Sequence, residues 1–466
     1  MQSIIDLMVG FANWFWGLPI LFVIGGGGLY VTLRIGVIQV TKFGYICTQT
    51  FGKMFGKAEE GEISPFSAAV AALASSIGAS NIVGVPVAIA LGGPGAIFWM
   101  WILAIIGCGT KFVEVALGQM YKEKNEKGEW VGGPYYYLSK GLGGPIGKFF
   151  GMFYAFFLML ELIPSIASQA ASASAQAVVF GVDEKVVGII IAVIAIIVCV
   201  GGLKRIAKVT DLMVPIMACF YLGGALVVIF MNISELPAAF ASIFAYAFAP
   251  HSAVGGFAGS TIALALRWGA ARGVYSNEAG MGTAPMAHSA ATVDHPIRQA
   301  MWGVFECVVD TLIVCSVTAL AILTSGVWKH EGIEPGALAQ AAYGEAFGSF
   351  GNVFIAICVF FFVLSTILVV IFYGEKQAEF LFGIKFAKIW RWVYIVAIVV
   401  ATLGLADLTT LYSLTDFMLG IIIIPNMVGV ILLAPKVAKL TKEFFNTPGK
   451  YYLADVEAKK AKKAAK

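Results

Sequence analysis

Charge is the first thing this chain is short of. Of its 466 residues, 12% are Asp, Glu, Lys or Arg, while 59% are hydrophobic. Soluble domains carry about 25% charged and about 45–50% apolar residues. With a mean hydropathy of +0.87, the chain has too little polar surface to cover itself for water. A long polar linker is also missing between residues 15 and 435. Length alone would allow roughly three soluble domains; the unbroken apolar character predicts one membrane domain instead.

Redox and metal signatures are absent. The seven Cys (47, 108, 199, 219, 307, 315 and 358) form no CxxC pair, and the four His (251, 288, 295 and 330) have no metal spacing. The cysteines read as small buried hydrophobes. HExxH, GxSxG and P-loop patterns are missing, and no nucleophile–His pairing is visible, which excludes the common enzyme classes. A repeated filter motif, as a symmetric channel needs, is missing too. No basic stretch precedes the first apolar run, so that run reads as a retained span and not a cleaved leader. The expected surroundings are a lipid bilayer, with no nucleic acid and no obligatory protein partner.

What is present is a series of apolar runs. A helix needs about 20 such residues to cross the hydrocarbon. That rule predicts an all-α polytopic protein of about eleven spans, at 15–36, 65–91, 95–120, 148–179, 186–202, 208–231, 255–285, 298–324, 350–378, 390–405 and 408–435. The fourth and seventh are too long for one straight crossing. Lys and Arg orient the set. With the N-terminus outside, the inner loops collect Lys42, Lys53, Lys57, Lys122, Lys124, Lys127, Lys140, Lys148, Lys204, Arg205, Lys208, Arg298, Lys376, Lys385, Lys388 and Arg391. The outer loops collect only Lys185 and Lys329. The tail, residues 454–466, reads as a basic helix, either at the lipid surface or merely solubilising.

Two spans carry material for a break. In the second, Ser64 and Pro65 open a helix. The run Ser75-Ser76-Ile77-Gly78-Ala79-Ser80-Asn81 then follows, with Gly84 and Pro86 beyond it. Small, hydroxyl and amide residues make poor helix, and this run lies ~15–25 Å from the inner end, near mid-membrane. A small-residue packing face is the other reading. The seventh span contains Arg267-Trp268-Gly269-Ala270-Ala271-Arg272-Gly273-Val274, and Gly269–Val274 repeats the Gly-Ala-small-polar-x-Val pattern of Gly78–Val83. The predicted topology makes the two spans antiparallel. Paired Gly-interrupted spans in inverted halves point to a transporter site. Freed carbonyls there bind a cation, and freed N–H groups bind a carboxylate.

Charges inside spans cost at least ~2.5 kcal/mol each on insertion scales. Asp310 and Glu306 share one face of the eighth span. Lys111 and Glu114 are placed to pair within the third. Glu306 reads as pairing with Arg272 or facing water, and Arg267 and Arg272 as attracting a carboxylate or forming a salt bridge. The fourth span carries Glu161 and a Ser-rich face with Gln169; the ninth carries Phe362-Val363-Leu364-Ser365-Thr366, whose adjacent hydroxyls offer oxygens to a hard cation.

The stretch Gly92-Gly93-Pro94-Gly95-Ala96-Ile97-Phe98-Trp99-Met100-Trp101-Ile102-Leu103-Ala104-Ile105-Ile106-Gly107 resembles the signature of the alanine or glycine:cation symporter family. That resemblance implies a leucine-transporter-like fold: two inverted five-helix repeats, here 65–254 and 255–435, after an N-terminal unit 1–64 and before a basic cytoplasmic tail 436–466. Ser75–Pro86 is similar to the first core helix of sodium-coupled transporters of that fold. The resemblance implies that N–H groups around Gly78, Ala79 and Ser80 hold the substrate carboxylate, within the run Ser75, Ser76 and Ile77. Gln169 of the fourth span and Trp268 and Gly269 of the seventh, read from their own positions, are expected to line the same pocket. It implies a sodium site from the carbonyls of Ala74 and Ile77 with Ser365 and Thr366, and a possible second from Ser76, Asn81 and Asp310. The implied activity is sodium-coupled uptake of alanine or glycine at the cell membrane. The same fold driven by protons through Asp310, Glu306 or Glu161 is the alternative.

Overall fold

The computed structural model describes residues 2–54, 63–248, 261–404 and 408–464. The expected 255–260 start of the seventh span, the 254/255 boundary between halves, residue 405, Lys57 and the last two residues of the tail lie outside them. Helices stand at the expected places: Leu18–Arg34, Pro65–Ser76 with Ser80–Gly92, Gly95–Tyr121, Gly144–Phe180, Glu184–Cys199, Gly202–Met231, Ile262–Asn277, Pro296–Ser325, Ser349–Phe382, Ile384–Thr402 and Leu408–Asn446. Among them, six are by themselves long and apolar enough to cross a membrane, and Pro65–Ser76 with Ser80–Gly92 makes a seventh, bent by 46°. The others are shorter, as at Glu184–Cys199, or carry more charge, as in Ile384–Thr402 with Lys385, Lys388 and Arg391.

Burial separates centre from rim. The most apolar window of the ninth span is 83% buried inside the protein, and that of the sixth only 39%. The ninth therefore runs through the core, whereas the sixth turns much of its surface outward. Further helices appear that a search by spanning length discards: Gln2–Phe15, Leu236–Phe248, Leu338–Phe347 and Tyr451–Ala464. The last is the expected basic tail helix. A short hairpin pairs Glu123–Lys124 with Trp130–Val131, and its turn is tied by Asn125 Oδ1, which accepts from the N–H groups of Lys127 and Glu129 at 3.0 Å each.

Basic side chains near helix ends tie the helices to the connecting segments and the tail. Lys376 Nζ lies 3.3 Å from Glu129 of the hairpin, Lys436 Nζ donates to Gly141 O at 3.1 Å, and Arg298 Nη1 reaches Asp455 Oδ2 at 2.9 Å. Tyr45 Oη also donates to Asp455, at 2.5 Å. Burial alone would raise the Asp455 carboxyl, but the hydrogen bonds from Arg298 and Tyr45 and the Arg298 charge outweigh it and hold it below its ordinary value. A depressed carboxyl adds stability above its unfolded value, ~3.9, and loses it as pH falls through the lower folded value. The tail helix should therefore resist protease at neutral pH and become cleavable below about pH 4. Limited proteolysis, with pepsin on the acid side, checks this; Asp455→Ala should release the tail at neutral pH already.

Candidate functional site

The second span is built to stop and restart. Ser64 Oγ accepts from Ser67 N–H at 2.9 Å, and the helix runs from Pro65 to Ser76. Ile77 then turns extended (φ −76°, ψ 90°), and helical turns resume at Ser80. The cause lies in where the N–H groups go. Gly78 N–H, which would continue the ladder to Ala74, donates instead to Asn81 Oδ1 at 3.0 Å. Asn81 N–H donates to Gly78 O at 3.3 Å rather than to Ile77 O. Two carbonyls, Ala74 O and Ile77 O, are thereby released in the buried centre.

Both released carbonyls face the ninth span. Thr366 Oγ1 lies 3.0 Å from Ala74 O and 3.4 Å from Ile77 O, and it is also 3.0 Å from Phe362 O. A hydroxyl has one proton to give. It cannot satisfy three carbonyls at once, so acceptor lone pairs remain gathered at this point. The arrangement is an oxygen cluster of the kind a hard cation takes. Gly78 is needed here, because a Cβ on it would stand 2.7 Å from Thr366 Oγ1. Ser365 does not join the group: its Oγ donates to Phe362 O at 2.8 Å and lies 3.7 Å from Met217 Sδ. Gln169 does come in, its Oε1 accepting from Ala79 N–H at 3.4 Å. An amide oxygen thus sits on one of the N–H groups expected to receive a carboxylate.

A second polar cluster surrounds Asp310, which is fully buried. The eighth span takes an extra residue per turn over Val308–Cys315, which re-aims its side chains. Asp310 Oδ1 accepts from Asn81 Nδ2 at 2.7 Å; Oδ2 accepts from Ser276 Oγ at 2.6 Å and Thr311 Oγ1 at 2.7 Å. Three donors thus converge on this buried carboxyl. Of the expected trio, Asn81 and Asp310 meet, whereas Ser76 Oγ bonds back to Ala72 O at 3.5 Å. Sequence reasoning missed Ser276 and Thr311, although Thr311 adjoins Asp310.

The seventh span differs from expectation. Its helix passes unbroken from Ile262 to Asn277, through Gly269 and Gly273, and the interruption follows it. Glu278 takes φ +56°, Gly280 +91° and Gly282 +82°, and helix returns only at Ala284–His288. Gly269 is there for packing: a Cβ would lie 2.2 Å from Ala96 O. Gly269→Ala should cost about 1–3 kcal/mol through overpacking, read as a lowered thermal midpoint of the purified protein. Trp268 stands apart from the second-span break. It takes Arg267 and Arg272 over its ring, each 5.4 Å from the centroid, and lines a cavity of about 60 Å³ with Trp16 and Asp416.

The two breaks nonetheless touch. Ser75 Oγ donates to Glu278 Oε2 at 3.2 Å, and Asn81 Nδ2 to Ser276 Oγ at 3.1 Å. Below them lies a buried ion cluster. Lys111 Nζ donates to Asn277 O at 2.7 Å and lies 3.1 Å from Glu306 Oε2, an ionic contact outside hydrogen-bond alignment. His288 Nε2 meets the other Glu306 oxygen, and Gln299 Nε2 holds His288 Nδ1 at 2.7 Å. Lys111 therefore pairs with Glu306 and not with Glu114, whose Oε1 takes Asn426 Nδ2 at 2.6 Å.

The chain belongs to the sodium:alanine symporter family, which matches residues 1–457. It is 46% identical to the uncharacterized transporter YflA of Bacillus subtilis, with 99% of this chain and 98% of that protein covered. It is 39% identical to the sodium/alanine symporter AgcS of Methanococcus maripaludis, with 92% and 94% covered. The crystal structure of MhsT in complex with L-phenylalanine superposes with a TM-score of 0.57 at 12% identity, over 82% of this chain and 99% of that one. The fold is thus leucine-transporter-like, and the protein is a multi-pass membrane transporter, a cation-coupled amino-acid symporter and not an enzyme.

Proposed function

We propose that this transporter couples inward sodium flow to uptake of alanine, and of glycine, by alternating access. The observation that carries the reading is the meeting of Ala74 O, Ile77 O and Thr366 Oγ1. Sodium held there ties the second span to the ninth and orders the break at Gly78–Ser80, which receives the amino-acid carboxylate. Gln169 yields Ala79 N–H as the carboxylate arrives, and Ser365 rotates in as a fourth oxygen. Asn81, Ser276, Thr311 and Asp310 form a second cation site beside the substrate. Residues 65–254 and 255–435 act as the inverted halves, with the N-terminus outside and the basic end in the cytoplasm.

The energetics suffice. One sodium moving down 100 mV releases about 2.3 kcal/mol, and a tenfold gradient adds about 1.4 kcal/mol. Together they support up to roughly 500-fold accumulation of a neutral amino acid. Uptake of labelled alanine into proteoliposomes tests the proposal. An inward sodium gradient should drive accumulation above equilibrium, and its collapse should abolish it. Accumulation driven by a pH gradient in sodium-free buffer would instead assign the coupling to protons. Alanine uptake indifferent to both gradients would sink the symport reading.

A further inference from the structure

The sixth and ninth spans enclose a groove of about 720 Å³ on the outside of the bundle, lined by Leu212, Ile216, Phe220 and Phe361, with Arg205 and Lys208 at one end. We infer that this groove binds one anionic phospholipid, its phosphate on Arg205 and Lys208 and an acyl chain along the apolar stripe.

The groove faces lipid: Leu212 is 68% exposed, Ile216 60% and Phe220 50%. Arg205, Lys208, Leu212, Ile216 and Phe220 recur at three- and four-residue intervals, so charge and stripe share one helix face. From Lys208 to Phe220 the helix rises ~18 Å. One leaflet of hydrocarbon is about 15 Å deep, half the ~30 Å core. The groove therefore runs from the interface to the bilayer centre, the reach of a single acyl chain. Its basic end selects the headgroup. Arg205 spends Nη1 on Ile197 O at 2.7 Å, which fixes the guanidinium at the interface with nitrogens to spare. Asp211, the acid next along the helix, accepts from Ser67 Oγ at 2.6 Å and is not spent on Lys208. Basic pockets between membrane helices at the interface are suited to anionic headgroups. The floor of the groove includes Met217, whose Sδ is 3.7 Å from Ser365 Oγ, the residue before Thr366. An occupant thus presses on the side chain against which the Ser365 hydroxyl packs.

The experiment has two readouts. Purified protein in neutral detergent is titrated with phosphatidylglycerol or with phosphatidylcholine, and its thermal midpoint is followed. Phosphatidylglycerol should raise the midpoint by about 3 °C or more and phosphatidylcholine should not. Arg205→Ala/Lys208→Ala and the groove-filling Ile216→Trp should each lose the rise, while Lys385→Ala/Lys388→Ala on another helix keeps it. Equal shifts with both lipids, or an unchanged shift in the Arg205/Lys208 variant, would overturn the site. This readout does not depend on what the protein transports. The second does: in phosphatidylcholine proteoliposomes, adding 20% phosphatidylglycerol should lower the sodium concentration for half-maximal uptake at least twofold in the parent and not in the Arg205/Lys208 variant. A midpoint rise without that change would retain the lipid site and overturn its link to Ser365 through Met217.

Discussion

Thr366→Val should raise the sodium concentration for half-maximal alanine uptake at least about tenfold, a loss of ~1.4 kcal/mol or more of cation binding. Valine keeps the shape and removes the one side-chain oxygen that faces both Ala74 O and Ile77 O. The two carbonyls then lose the hydroxyl they share in a buried place, and the proposed cation site loses a ligand. Thr366→Ser, which keeps the oxygen, should stay within about threefold of the parent, because it loses only a methyl group's packing. Uptake rates measured across a sodium series at fixed alanine separate the two. An unchanged sodium response in the valine variant would remove Thr366 from the site. Gly78→Ala acts on the same spot from the other side, since its Cβ would stand 2.7 Å from Thr366 Oγ1; it should weaken both sodium and alanine.

The second large effect concerns stability. Lys111→Met should destabilise the protein by about 3–5 kcal/mol, the range for stranding one partner of a buried ion pair. Lys111 is 0% exposed and its partner Glu306 1%. Without the ammonium, Glu306 keeps only His288, and Asn277 O at the end of the seventh-span helix loses its donor. The double variant Lys111→Met/Glu306→Gln should recover much of the loss, because no unpaired charge remains and Gln still accepts from His288. Thermal midpoints of the purified variants give the answer. A double variant no better than the single one would mean that Lys111 acts through Asn277 O alone.

The second-span break was legible because its cause is local. Ser75-Ser76-Ile77-Gly78 is poor helix, and Asn81 stands three residues after Gly78, where its side chain replaces a backbone acceptor. The seventh-span break was placed too early for a physical reason. Gly269 and Gly273 weaken a helix in isolation, but here they let it lie against Ala96 and Met100, and that packing restores it. The real interruption carries its own signal, Gly280 and Gly282 one residue apart after Glu278, all at positive φ. Partners distant in sequence were not legible. Lys111 lies one helical turn from Glu114, and nothing in the spacing reveals that Glu306 arrives from another helix to take its charge. The meeting of Asn81 with Asp310 was foreseen from the resemblance, while Ser276 and Thr311 needed coordinates, since a hydroxyl's role depends on which way its helix is turned.

The central claim is that cation and amino acid order the same break. Linkage then requires that each tighten the other by one common factor. Alanine binding to the purified protein, measured by calorimetry across sodium concentrations with potassium as the replacement, is the direct measurement. The account predicts that alanine affinity rises at least about tenfold with sodium and that alanine raises sodium affinity by the same factor. Alanine affinity that is flat in sodium, with the parent protein folded and binding, would contradict it.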